Sequence, residues 1–113
     1  MNQILRSIIY DARKYIREDN IDMLQCLFDE IEENTKAGNF SVDYVFIFKE
    51  LFLCACSLSK NDIMIWLMDY YDKLDEVSQI ALKHTFTYAK YAYRNNGGNM
   101  QWFENNIYKK LKI

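Results

Sequence analysis

Apolar residues recur along this chain with the three-to-four-residue spacing of amphipathic helices. The most apolar stretch, residues 46–71, contains two such segments separated by a polar break at residues 57–62. A break this short fits an antiparallel helix pair. Further apolar residues lie outside the main stripe of each helix, so we expect this pair to form the middle of the fold. The inward-facing residues predicted for the pair are Phe48, Leu51, Phe52 and Ala55, then Ile63, Trp66, Leu67 and Tyr70.

The remaining periodicity predicts helices on both sides of this pair. The first spans residues 3–18, the second follows Asn20, the fifth runs from Asp75 to Arg94, and the last follows the turn at residues 95–99. Their predicted inward-facing residues are Ile4, Ile8, Ala12, Tyr15, Ile16, Ile21, Leu24, Leu27, Phe28, Ile31, Val77, Ile80, Ala81, His84, Tyr88, Tyr91, Met100, Phe103, Ile107 and Leu111. The sequence therefore predicts one all-α domain over residues 1–113, with about six helices in three antiparallel hairpins. A compact helical bundle is the alternative architecture.

The hairpins show a faint internal repeat. Residues 22–27 overlay residues 62–67 without gaps, at an offset of 40 positions, and Trp66 and Trp102 are 36 positions apart. Ala55 and Ala89 correspond if the last unit carries two extra residues. Periods of this size are typical of helical solenoids.

Residues 55–67, ACSLSKNDIMIWL, carry a resemblance to a known family. They are similar to the helix-turn-helix of an ankyrin repeat, in which small residues precede a turn and an acidic residue introduces an apolar helix. The closest resemblance is to the degenerate ankyrin-like repeats of large DNA viruses, which often end in Trp followed by Leu. It implies a helical stack that binds another protein. The chain lacks the Thr-Pro-Leu-His opening and the ankyrin β-turn, and Ser59 stands where glycine is usual.

Composition narrows the class of protein further. Half of the 113 residues are hydrophobic and 27% are charged, which is typical of a globular chain and not of a disordered one. No apolar run approaches the roughly 18 residues of a membrane span, and the first residues lack the features of a signal peptide. Three cysteines, an odd number, fit a reducing compartment. We therefore expect an intracellular protein, in the cytoplasm of a host cell if it is viral, without a membrane partner.

The net charge of −2 conceals an asymmetry along the chain. Residues 1–82 hold eight Lys and Arg against fifteen Asp and Glu, whereas residues 83–113 hold six against one. If the hairpins stack in order, one end of the molecule is acidic and the other basic. Opposite ends of two molecules would then attract, so the pattern allows a homo-oligomer built head to tail, as a chain or ring rather than a closed two-fold dimer.

The residues able to carry chemistry form no recognisable motif. Cys54 and Cys56 are two positions apart, and on a helix they point in different directions, so one metal ion does not easily take both. His84, the single histidine, has no Ser, Cys or Asp at a catalytic spacing. We expect structural roles for these residues, no metal or other cofactor, and no enzymatic activity.

These observations favour a protein–protein interaction module. Tyrosine, tryptophan and arginine are the usual hot-spot residues of interfaces, and the candidate partner-binding residues are Tyr70, Tyr71, Lys90, Tyr93, Arg94, Lys109, Lys110 and Lys112. The alternative is a compact helical inhibitor, or nucleic-acid mimic, that acts through a charged face. Nucleic-acid binding by the basic, aromatic C-terminal third is the weaker alternative, because the overall charge is negative.

Overall fold

The computed structural model describes residues 3–111, and every regular element within that range is helical. This confirms the all-α prediction. The elements in chain order are α1 (Gln3–Arg17), α2 (Ile21–Lys36), α3 (Tyr44–Ser57), α4 (Asn61–Asp72), α5 (Glu76–Ala81), α6 (Lys83–Asn95), α7 (Met100–Phe103), a π-helical turn (Glu104–Tyr108) and α8 (Lys109–Leu111).

The helices form three successive hairpins, α1–α2, α3–α4 and α6–α7, arranged in two rows. In the first row α3 packs between α1 and α6. In the second row α4 contacts the ring of Phe28 on α2 and packs against the π-helical turn. The radius of gyration is 13.8 Å, close to the roughly 13 Å expected for a compact chain of this length. Three hairpins in order therefore build one compact unit, with α3 at its centre.

The core is densest where α3 meets α6. The rings of Phe48 and Phe52 stack at a centroid distance of 5.3 Å, and Phe86 of α6 contacts both rings. The inward-facing residues predicted for α3 are all buried. On α4, Ile63 and Leu67 are buried as predicted, but Met64 and Met68 complete the buried set, while Trp66 and Tyr70 are only half-buried. Trp66 and Tyr70 were predicted to face inward, but they lie at the edge of the core and not within it.

The turns inside the three hairpins share one backbone geometry. Each contains a residue in the left-handed conformation: Asp19 (φ 55°), Ser59 (φ 53°) and Gly97 (φ 82°). In each case the next amide donates to the carbonyl five residues earlier, which closes the end of the preceding helix. These bonds are Asn20 N to Tyr15 O at 2.9 Å, Lys60 N to Ala55 O at 2.9 Å and Gly98 N to Tyr93 O at 2.8 Å. The same turn thus recurs three times along the chain.

Side chains join these turns to one another. The Lys60 amine lies 2.8 Å from an Asp19 carboxylate oxygen, which ties the second turn to the first. The Ser59 hydroxyl donates to the carbonyl of Asn96 at 3.1 Å, which ties the second turn to the third. The hairpins therefore stack with their turns side by side.

The predicted fifth helix differs from the structure in two ways. It is divided at Leu82 into α5 and α6, and its inward-facing side is not the predicted one. The buried residues in this region are Leu82, Thr85, Phe86, Ala89 and Tyr93. The residues predicted to face inward, Val77, Ile80, Ala81, His84, Tyr88 and Tyr91, are all exposed. The prediction is wrong because this region carries apolar residues on two faces, and the rings of Phe48, Phe52 and Tyr71 cover the face that contains Phe86.

A smaller error of the same kind occurs in α1. Ile4 was predicted to face inward but is 42% exposed, and Leu5 and Ile9 are buried in its place. The last hairpin agrees better with prediction, since Phe103 and Ile107 are both buried.

Candidate functional site: an aromatic cleft with an acidic rim

A cleft of about 590 Å³ opens between α2, α4 and the first turn of α3. We call it the aromatic cleft. It forms because α2 and α4 belong to neighbouring hairpins and meet through large aromatic side chains that keep their backbones apart. Its lining residues are Gln25, Phe28, Asp29, Glu32, Tyr44, Trp66, Asp69, Tyr70, Lys73 and Leu74.

Phe28 forms the floor of the aromatic cleft, and Trp66 and Tyr70 form one wall. Phe28 is 7% exposed, and its ring contacts Trp66 edge-on at 5.1 Å and Tyr70 edge-on at 4.8 Å. Trp66 and Tyr70 are four positions apart on α4, so they project from the same side of that helix. Tyr44, from the first turn of α3, contacts Tyr70 at 6.2 Å and extends the wall. Four aromatic rings therefore surround one open space.

Carboxylates dominate the rim of this cleft. Asp29, Glu32 and Asp69 contribute three negative charges, and Lys73 contributes one positive charge. Lys36 pairs with Glu32 at 2.9 Å, and this contact lowers the pKa of the Glu32 carboxyl. Glu32 is therefore ionised at neutral pH. The three rim carboxylates are offset by Lys73 and by two lysines just outside the rim, Lys36 and Lys110, which pair with Glu32 and Asp69.

Hydrogen bonds hold part of the rim in place. The Trp66 indole N–H donates to Gln25 Oε1 at 3.2 Å, and the Gln25 amide donates to Asp29 Oδ1 at 3.0 Å. This chain of bonds links the aromatic wall to one carboxylate. Burial raises the pKa of the Tyr70 hydroxyl, helped by Tyr44 and Glu32, so Tyr70 stays neutral and keeps its hydrogen-bond donor at neutral pH.

The structure distributes the predicted partner-binding residues over several surfaces. Tyr70 lines the aromatic cleft, and Lys110 lies at its edge, 3.7 Å from Asp69. Tyr71 is half-buried and packs against Phe48 and Phe86, on the side of α4 that faces the core. Lys109 is exposed, and Lys112 lies outside the described residues.

Two of the predicted basic residues are already engaged within the chain. Lys90 pairs with Glu104 at 2.9 Å and lies 4.9 Å above the ring of Tyr108. Arg94 is exposed and lies 5.1 Å above the ring of Tyr91. Neither Lys90 nor Arg94 lines the aromatic cleft.

Tyr93 requires a correction, because it is 1% exposed. Its ring packs against Trp102 and Phe103, and its hydroxyl donates to Asn61 Oδ1 at 2.8 Å. It fastens the third hairpin to the second and has no surface to offer a partner. The sequence suggested an exposed residue because tyrosine occurs commonly in both environments.

Sequence reasoning missed most of the cleft. It placed Phe28 and Trp66 among the inward-facing residues and named no carboxylate as a candidate site residue. The signal that could have found the site is the position of Trp66 and Tyr70 on one side of α4, next to Asp69 in sequence.

The remaining candidates for chemistry are separated in space. Cys26 is exposed, Cys54 half-buried and Cys56 buried, and burial raises the pKa of both Cys54 and Cys56. Within residues 3–111 no cluster of His, Cys, Asp and Glu side chains is arranged to hold a metal ion. The same range contains no helix with the length and apolar character needed to cross a bilayer.

The fold and the site together define an all-helical protein with an aromatic cleft whose rim is acidic. Comparisons with family models, with curated proteins and with solved structures each found no match to this chain.

Proposed function

We propose that this chain is a non-enzymatic interaction module that binds a segment of another protein in the aromatic cleft. The observation that carries the proposal is the combination of four aromatic rings with three carboxylates around one open space. A lysine or arginine side chain suits such a cleft, because a cation is attracted both to ring faces and to carboxylates. The partner segment is therefore one that places a basic side chain between Trp66 and Asp69.

Lys110 supports the choice of a cation as the bound group. This lysine of the chain itself lies 3.7 Å from Asp69, and both side chains are at least 40% exposed. An exposed pair at that distance is weak. A basic side chain entering the cleft can therefore replace Lys110 as the partner of Asp69 at little cost.

The ankyrin-like resemblance of residues 55–67 supports the same class of function. It extends the proposal to an accessory protein of a large DNA virus that acts on a host or viral protein inside the cell. The three unpaired cysteines fit the reducing interior of a cell. Under this proposal the hairpin stack is the scaffold, and the aromatic cleft between the second helices of two hairpins is the binding site.

The acidic surface of α2 favours a second candidate function, a compact inhibitor that mimics nucleic acid. Glu30 and Glu33 are exposed beside Asp29 and Glu32, so one face of α2 presents a row of carboxylates. A partner recognised in this way would contact carboxylates without needing the rings of the cleft. Replacing Trp66 would then leave its affinity unchanged.

Selection of peptides from a random displayed library tests the proposed function. We expect the bound peptides to be enriched in Lys or Arg next to an apolar residue, and to change the fluorescence of Trp66. A Trp102→Phe background leaves Trp66 as the only tryptophan. Peptides without basic enrichment would overturn the proposal.

Variants of the cleft sharpen this test. Trp66→Leu and Asp69→Asn should each weaken binding of a selected peptide about tenfold, because each removes one half of the cation site. Asp62→Asn is the matched control, since it changes an exposed aspartate of the same helix that does not line the cleft. Loss of binding in Asp69→Asn but not in Trp66→Leu would show that the aromatic wall does not hold the cation and would contradict the proposed site.

A further inference from the structure

The outer face of α5 and α6 presents a row of apolar and aromatic side chains to solvent. Val77 is 77% exposed, Ile80 65%, Tyr88 67% and Tyr91 50%, and His84, between them, is also exposed. We call these five residues the α5–α6 stripe. Its residues are exposed on the side away from Phe86, and His84 and Tyr88 border a groove whose other side is the start of α3, at Val45, Phe46 and Lys49. Apolar rows of this kind on a folded protein usually mark an interaction surface.

The spacing of the stripe is symmetric about its centre. The intervals between successive residues are three, four, four and three, with His84 in the middle. When two copies of the stripe pair antiparallel, Val77 meets Tyr91, Ile80 meets Tyr88 and His84 meets His84 of the other copy. Each aliphatic side chain is then opposite an aromatic one. A two-fold axis requires this kind of self-complementary surface.

Charges at the two ends of the stripe favour the same arrangement. Asp75 and Glu76 lie at its first end, and Arg94, whose guanidinium lies over the ring of Tyr91, lies at its second. Antiparallel pairing places the acidic end of one copy beside the basic end of the other, whereas parallel pairing places like charges together. The charges therefore select the antiparallel orientation.

We propose that the α5–α6 stripe is the interface of a symmetric homodimer, with His84 of both copies at the two-fold axis. The stripe extends over two helices divided at Leu82, for about 21 Å measured along them at the rise of an α-helix. Its area is small beside the roughly 800 Å² per partner of a standard interface. The dimer is accordingly a weak one. It leaves the aromatic cleft free, because no residue of the stripe lines that cleft.

Sedimentation equilibrium over a wide range of protein concentration tests this proposal. We expect a monomer–dimer equilibrium, and we expect Tyr88→Glu and Ile80→Lys each to raise the dissociation constant at least about tenfold, because each buries a charge in the apolar contact. Tyr10→Glu is the matched control, since Tyr10 is 69% exposed on α1. A chain that stays monomeric near 1 mM, or a dimer that both stripe variants leave intact, would overturn the proposal.

Charge exchange tests the antiparallel orientation. Glu76→Lys and Arg94→Glu should each weaken the dimer at low salt, and the double variant should restore it, because the two charges exchange ends. Circular dichroism of each variant establishes that α5 and α6 remain folded. A double variant weaker than both single variants would rule out the antiparallel pairing.

A disulfide tests the position of the axis. His84→Cys, in a chain with Cys26→Ser to remove the exposed native thiol, should form a disulfide-linked dimer under mild oxidation, because residue 84 meets its own copy. Tyr10→Cys in the same background should remain monomeric. A dimer in which His84→Cys does not cross-link would show that the two copies meet elsewhere.

Discussion

Trp66 lies at the boundary between the core and the aromatic cleft, and its removal should affect both. We expect Trp66→Ala to lower the free energy of unfolding by about 2 kcal/mol, since truncating a fully buried aromatic residue costs about 3 to 5 kcal/mol and Trp66 is only half-buried. Phe52→Ala, at a fully buried position, is the comparison and should lower the free energy of unfolding by about 3 to 5 kcal/mol. Denaturant unfolding measures both. A larger loss for Trp66 than for Phe52 would contradict the boundary position.

Gly98 is required for the close approach of the third turn to Tyr93. A Cβ atom at position 98 would overlap the Tyr93 ring, which is itself held by its bond to Asn61. We expect Gly98→Ala to destabilise the protein by about 2 kcal/mol, in the range of overpacked sites.

Gly97→Ala is the control for this prediction. Gly97 has a positive φ but open space around its Cβ position. Alanine there should lower the free energy of unfolding by about 1 kcal/mol, which is the cost of placing a side chain on a left-handed backbone. Thermal melting compares the two variants. Equal effects would show that the Tyr93 ring moves aside and that Gly98 is not needed for packing.

At the scale of the helices, the start of α5 depends on a charged cap. The Ser78 amide donates to Asp75 Oδ1 at 2.7 Å, and this bond lowers the pKa of the Asp75 carboxyl. The stabilisation is therefore fully present above the unfolded-state value, about 3.9, and is lost as pH falls through the lower folded-state value. We expect the melting temperature of the wild type to fall towards that of Asp75→Asn below pH 4, because asparagine caps without a charge.

Asp75→Ala provides the control for the cap. Alanine removes both the charge and the acceptor, so this variant should melt at a lower temperature than Asp75→Asn at every pH. An Asp75→Asn variant whose pH dependence equals that of the wild type would show that the carboxylate does not contribute.

The helices were largely predictable from sequence, whereas the orientation of α5 and α6 was not. In α3 one apolar stripe dominates, so periodicity alone identifies its buried face. Residues 77–93 carry two stripes, one through Phe86 and one through Tyr88. Both satisfy helical spacing, and only the rings of Phe48 and Phe52 decide which is covered. That information belongs to another helix and is absent from the local pattern.

The internal repeat illustrates a related limit. The sequence overlay matched Ala55 to Ala89, but the closing bond of each turn makes Tyr93 the equivalent of Ala55. The error is four residues, about one helical turn, and a shift of one turn leaves the apolar pattern almost unchanged. The left-handed residues Asp19, Ser59 and Gly97 give the correct register, because a turn has no such periodicity.

At the scale of the whole molecule, the order of the hairpins sets the distribution of charge. The hairpin α1–α2 lies at one side of α3, and α6–α7 lies at the other. This order is the one that the prediction of an acidic and a basic end assumes. Lys110 is an exception to this separation, because this basic residue lies 3.7 Å from Asp69 at the edge of the aromatic cleft.

Reversing the charge of Lys109 and Lys110 distinguishes two hypotheses about where the partner binds. If Lys109 and Lys110 bind the partner, Lys109→Glu with Lys110→Glu should abolish binding. If the aromatic cleft binds a basic segment, the same double variant should bind it about three times more tightly at low salt, because Lys110 no longer competes for Asp69. The gain should disappear at about 0.5 M salt. Titration with a selected peptide measures this change in affinity. Lys83→Glu, which changes an exposed lysine of α6, is the control.

The central position of α3 also constrains the order in which the nascent chain can acquire its structure. When α1 and α2 have left the ribosome, Ile9 and Ala12 still lack the helix that covers them, because α3 follows later in the chain. When α3 has emerged, Phe48 and Phe52 still lack their contact with Phe86 of α6. Each hairpin therefore completes the one made before it, and α6 closes the core. A ribosome that pauses before residue 86 therefore holds a chain in which Phe48 and Phe52 still lack their contacts with α6.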